Sequence, residues 1–210
     1  MLDFTEYTKI FISLFAILDP FGIIPIIVLF TAGMTAARRA YVARLASLTV
    51  CAILMVALLI GQPLLAFFGI SIHSFLVAGG ILLLLMAIKM MLGNFYTSGS
   101  GKNGHADGET VSANAIVPLS TPLLAGPGSI SAVIVEAHKA DGLMHYLVMS
   151  MEIILLGFIV WLTFMIAPWV AQRIGKIGIS VFTRLMGLIL AAISVEFIAS
   201  GMRGLFPALG

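Results

Sequence analysis

The chain has 210 residues, 61% of them hydrophobic and only 10% charged, with eleven Lys+Arg against nine Asp+Glu. A soluble domain carries about 45–50% apolar and about 25% charged residues, and one core could not hide this much apolar surface from water. The composition excludes an ordinary cytosolic enzyme and a disordered chain, the net charge of +2 excludes a nucleic-acid binder, and the lone Cys51 excludes an intrachain disulfide or a cysteine-rich metal site. What remains is a polytopic membrane protein.

Crossing the hydrocarbon takes about 20 apolar residues in a helix. Six stretches qualify in chain order: Ile10–Phe30, Ala46–Phe67, Ile70–Leu92, Ile116–Val135, Tyr146–Trp169 and Ile179–Ser200. Helix is the economical choice, because lipid offers no partner to a bare N–H or C=O. Runs such as ILLLLMAIKMM lack the alternation of a β-barrel strand. MLDFTEYTK carries Asp3 and Glu6 where a signal peptide needs positive charge, so the first apolar run is expected to be a retained span. With the N-terminus outside, Arg38, Arg39, Arg44, Lys89, Lys102, Arg173, Lys176 and Arg184 fall on the inner side. Lys9, Lys139 and Arg203 fall on the outer side. This bias predicts a multi-pass protein with both termini extracytoplasmic.

Between spans three and four lies a polar stretch of linker composition, TSGSGKNGHADGET. It divides the chain into a first repeat (residues 1–92), a linker (93–114) and a second repeat (115–210). LDPFGIIP in the middle of span one aligns with AGPGSISA in the middle of span four. At nearly the same shift AGGILLLL aligns with MGLILAAI, and Gly93 with Gly201. Each half has an odd number of spans, so the second enters the bilayer inverted relative to the first. A pair of Gly/Pro-interrupted apolar segments at matching places is the sequence pointer to a transporter site. The fold expected is therefore all-α, six transmembrane helices as two inverted three-helix repeats, with spans one and four broken at mid-membrane.

Asp19 lies nine residues past Ile10, roughly 14 Å along a helix and near the midplane. Asp19 is a good N-cap and Pro20 suits a first helical position; Gly126 and Pro127 repeat this grammar. Pro25 and Pro122 add breaks nearby. A restarted helix aims its N–H groups and positive dipole end into the membrane. Asp19 would suit an ammonium or a proton, and the bare N–H groups of Gly126–Ser129 a carboxylate, so together they suit a small zwitterion. Ser120, Thr121, Ser129 and Ser131 add hydroxyls. The competing reading is that Asp19 only caps a helix and Pro127 only kinks one. Glu152 and Glu196 either line a pathway or reach the headgroup zone, while Glu136, His138, Lys139 and Asp141 are expected in a solvated loop. The four histidines lack ligand spacing, so no metal is expected. GSGKNG matches a dinucleotide fingerprint by letter only, without its strand and helix, and it is no Walker loop. No cofactor is expected, and transport would run on a gradient.

DPFGIIP, FGISIHSFLVAGGILL, PLLAGPGSI and RLMGLILAAISVEFI together resemble the MarC family of bacterial inner-membrane proteins, over nearly the whole chain. The family is grouped with LysE-like exporters. The resemblance implies a secondary transporter of a small neutral solute, in some members alanine or glycine, with proton coupling proposed. The position of Asp19 takes Asn or Asp in the family. Carried over, the substrate-binding candidates are Asp19, Pro20, Gly22, Pro25, Pro122, Gly126, Pro127, Gly128 and Ser129. The expected partners are that solute and the lipid bilayer. The Gly79–Gly80 face offers packing within the chain or between copies in a homo-oligomer. The rivals to a transporter are an intramembrane lipid-modifying enzyme, which needs a nucleophile and base at one depth, and a small-solute channel.

Overall fold

The computed structural model describes residues 3–31, 33–92, 125–139 and 142–206. The linker 93–114, the start of span four, Pro122, Ser120, Thr121 and Asp141 lie outside the described residues. The described residues form six helices and no strands.

Helix α1 (Phe4–Leu18) buries Ile10, Leu14, Ile17 and Leu18, a stripe at helical spacing. A turn over Asp19–Ile23 leads to α2 (Ile24–Thr31). Helix α3 (Ala36–Phe67) starts ten residues before the apolar run that predicts it. Thr35 caps it there, its Oγ1 accepting the Arg38 N–H at 3.3 Å. Its 32 residues reach about 48 Å, more than the hydrocarbon needs, so the turns bearing Arg38, Arg39 and Arg44 can extend beyond it.

The turn after α3 explains part of the FGIS motif. Gly69 sits at φ 65°, the Ile70 N–H reaches Leu65 O at 2.9 Å and the Gly69 N–H reaches Ala66 O at 3.1 Å. This is a Schellman ending, and its left-handed position favours glycine. Ser71 then caps α4 (Ile72–Met91), accepting the Ser74 N–H at 3.0 Å. Helix α5 (Pro127–Ala137) begins after Gly126. The last element, α6 (Leu143–Leu205), leaves helical geometry at Gly175 (φ 69°, ψ 174°). It therefore consists of two arms, Leu143–Gly175 and Ser180–Leu205.

By length and composition α3, α4 and the two arms of α6 can each cross a membrane. Much of their apolar surface points outward, including Leu59 and Ile60 on α3, Leu85 on α4, Phe158 on the first arm and Leu188 on the second. Water would not tolerate such a belt; lipid does. Inward, α3 packs on the first arm: Gly157 meets Cys51, whose thiol donates to Ile153 O at 3.6 Å. The second arm packs on α4 through glycines, with Gly80 against Ser194 and Ile198, Gly187 against Ala87 and Met90, and Gly201 against Val77. Small residues let the backbones approach, which drives helix association in lipid. The Gly79–Gly80 face is thus used within the chain. Helix α5 lies against α1, α3 and α4, with Ala132 and Val133 fully buried.

Candidate functional site

The turn after α1 is built by its own side chains. Asp19 adopts the left-handed conformation (φ 42°, ψ 59°) as the C-cap of α1, its N–H bound to Phe15 O at 3.0 Å. Asp and Asn are the non-glycine residues that visit this region most readily. Its Oδ1 accepts the Gly22 N–H at 3.0 Å. A Cβ on Gly22 would lie 1.9 Å from Asp19 Oδ2, so only glycine admits the carboxylate. The N-cap expectation for Asp19 is corrected accordingly. The side chain does accept an N–H three residues on, but the backbone ends one helix instead of opening the next. Pro20 is a buried turn residue instead of a first helical residue, and α2 begins only at Ile24, with Pro25 as its second residue. Phe21 packs edge-on against Phe15 (5.7 Å) and Phe182 (6.2 Å), fastening the turn to α1 and the second arm of α6.

Asp19 is only 2% exposed, and its Oδ2 has no hydrogen-bond partner among the described residues. A buried carboxylate oxygen without a partner is costly and calls for an explanation. The chemistry open to it is to take a proton or a cationic donor.

The second predicted break behaves differently. Gly126 is the N-cap of α5 (φ −71°, ψ 173°), Pro127 is its first residue, and no side chain caps the helix. Gly128 does not face open space: a Cβ there would lie 2.3 Å from Leu83 Cδ2. Gly79 meets Ser131 in the same way, at 2.6 Å. Ser129 and Ser131 are buried on α5 and engaged. The structure thus joins Asp19 to Gly22 directly, seats Gly128 against α4, and brings the two segments into one bundle through the contact of α1 with α5.

A third polar region was not anticipated. Glu136, expected in a solvated loop, is on α5 and only 5% exposed, because the helix continues past the apolar segment to Ala137. It shares the face of Ser129 and Ala132, seven and four residues back, and extending that periodicity one turn would have found it. Its carboxylate holds Lys139 at 2.8 Å. His145, 1% exposed, links Glu136 O (3.1 Å from Nε2) to the Tyr7 hydroxyl (3.1 Å from Nδ1). A carbonyl only accepts, so Nε2 donates to it. This histidine ties α1, α5 and α6 together. Glu152 on the first arm is half-buried and near enough to feel the charge of Glu136. A cavity of about 390 Å³ opens between α1, α4, α5 and the second arm, lined among others by Lys9, Glu136, Lys139 and Glu196. No cluster of metal-ligating side chains occurs among the described residues.

Outward apolar helices around a buried polar turn define an integral membrane protein with several membrane-crossing helices. Residues 4–206 match the family described as MarC family integral membrane protein, and the chain belongs to that family. It is 39% identical over 207 residues to the UPF0056 membrane protein YhcE of Escherichia coli, covering 99% of this chain and 96% of that one. Similarity to the UPF0056 membrane protein MJ1677 of Methanocaldococcus jannaschii is 40% over 203 residues, covering 97% and 98%. For the UPF0056 membrane protein YvbG of Bacillus subtilis it is 34% over 207 residues, covering 98% of each. No solved structure matches the chain.

Proposed function

We propose that the protein is a secondary transporter of a small neutral solute, in the first instance a small neutral amino acid such as alanine or glycine. It works by alternating access around a mid-depth site beside Asp19, in the inner membrane, with both termini extracytoplasmic. The observation that carries this reading is the buried Asp19 carboxylate, one oxygen held by Gly22 and the other without a partner among the described residues. Ionisable groups at such depth are costly and mark ion or substrate pathways.

Two inverted three-helix repeats give the site its frame. In support, two elements of the first half pack on their counterparts in the second: α3 on the first arm of α6, and α4 on the second. Pairing of equivalents is what a pseudo-two-fold axis in the membrane plane produces. Both α3 and the first arm carry a proline in their last third, Pro63 and Pro168.

The test is counterflow of labelled alanine and glycine into proteoliposomes of the purified protein, against protein-free liposomes. Saturable counterflow is expected. Linear, non-saturating flux would instead favour a channel. No flux from folded protein would remove the amino-acid assignment.

A further inference from the structure

The cavity between α1, α4, α5 and the second arm of α6 has no role in the site beside Asp19. Its wall is mixed. Ile10, Leu76 and Phe197 supply apolar surface, while Lys9, Lys139, Glu6, Glu136 and Glu196 supply both signs of charge. Its volume of about 390 Å³ falls in the range of small-molecule pockets, about 300–1,000 Å³. The charges are not equivalent. Glu136 is buried and already neutralised by Lys139, whose side chain is 52% exposed and keeps ammonium hydrogens available at the cavity. Glu6 at the start of α1 and Glu196 on the second arm of α6 are exposed carboxylates; Glu196 faces Lys139 from the opposite helix, and no ion pair engages it among the described residues. A cavity with a pinned ammonium on one wall, a carboxylate on another and apolar surface between them matches a zwitterion with a small apolar side chain.

The geometry points to this cavity as a second binding site, a vestibule that takes a zwitterionic amino acid at the N-terminal end of the bundle. Lys139 receives the carboxylate and Glu196 the ammonium. The inference rests on the transporter reading for its solute and adds a site that the reading does not contain. It also accounts for the buried position of Glu136. That carboxylate holds Lys139 in place, and the His145 bond to Glu136 O fixes the end of α5 that bears Glu136 and leads into the turn of Lys139.

The experiment is protection of an introduced thiol in purified protein. In a Cys51→Ala background, Ser200→Cys places a thiol on the exposed cavity wall; Ser13→Cys, on α1, serves where the first variant does not fold. Millimolar alanine is expected to slow modification by a charged methanethiosulfonate at least fivefold. Adding Glu196→Gln is expected to raise the half-protecting concentration about tenfold, the effect of losing one charge-assisted hydrogen bond. Unchanged labelling in protein that shows saturable counterflow would overturn the vestibule and leave the transport reading intact. Protection without counterflow would uphold the site and remove the transport reading. Absence of both would overturn both. Protection by glycerophosphoethanolamine in place of alanine would also overturn the proposal, giving the cavity to a lipid headgroup.

Discussion

The two segments that look alike in the sequence, LDPFG and AGPGS, are stabilised in opposite ways. At the first, the chain closes on itself: Asp19 bends left-handed, its carboxylate takes the Gly22 N–H, and one carboxylate oxygen is left over. At the second, no side chain caps the helix, and it meets α4 through glycines on both sides, Leu83 of α4 on Gly128 and Ser131 of α5 on Gly79. The first turn therefore carries a chemical group, whereas the second sets how closely α5 and α4 approach. Matching letters at repeat-related places do not imply matching work.

The largest effect is expected at Gly22. A Cβ there collides with the Asp19 carboxylate, so Gly22→Val must either expel that side chain or unmake the turn. Counterflow is expected to fall to the liposome background. Equal activity of the Gly22 variant and wild type would break the assignment of the Asp19 turn as the working half.

Gly128 sharpens the contrast. A blocked substrate site is what its position in the sequence predicts for Gly128→Leu, but the structure puts Leu83, itself buried, where the new side chain must go. Overpacking of this kind costs about 1–3 kcal/mol. Gly128→Ala is therefore expected to lower the melting temperature of the purified protein, and Leu83→Ala in the same chain to restore much of it. Should stability return without counterflow, Gly128 faces the solute after all, and the two turns are more alike than their packing implies.

A smaller effect is expected at the far end of α5. His145→Ala leaves the Tyr7 hydroxyl and Glu136 O without their partner, and such bonds within membrane bundles are worth about 0.5–2 kcal/mol. Thermal denaturation is expected to show that loss. Tyr7→Phe, which keeps the Nε2 bond to Glu136 O, is expected to cost less. A Tyr7→Phe cost equal to that of His145→Ala would mean that the bond to Glu136 O contributes little, and that the histidine secures α1 rather than α5.

What the sequence made legible followed from patterns that lipid imposes. The apolar runs gave the helical class, and four of the six expected spans are membrane-length helices among the described residues, because solvent that cannot hydrogen-bond leaves long helices as the simplest solution. Hydropathy placed the start of α3 too late, since the ARRAYVAR turns are helical through their Thr35 cap and are not apolar. Proline and glycine located the Asp19 turn, but N-cap grammar misread its backbone, because capping side-chain bonds and a left-handed helix end can coexist at one aspartate. Charge marks Glu136 as a loop residue. Its burial depends on Lys139 and on α5 continuing to Ala137, and local polarity does not register either. Pro122 lies outside the described residues.

The smallest structural effect, and the most informative about chemistry, is expected from Asp19→Asn. Asparagine tolerates the left-handed region as aspartate does, and its amide oxygen can accept the Gly22 N–H in place of Oδ1. Stability is expected to change by less than about 0.5 kcal/mol, whereas Asp19→Ala loses both features and is expected to cost about 1–3 kcal/mol. The variants thus separate the two duties of one side chain. If Asp19→Asn keeps saturable counterflow but loses its dependence on pH, the oxygen without a partner is the proton-handling atom. If counterflow and its pH dependence both persist, the carboxylate serves the turn alone, and coupling must be sought elsewhere, first at the Glu136–Glu152 pair.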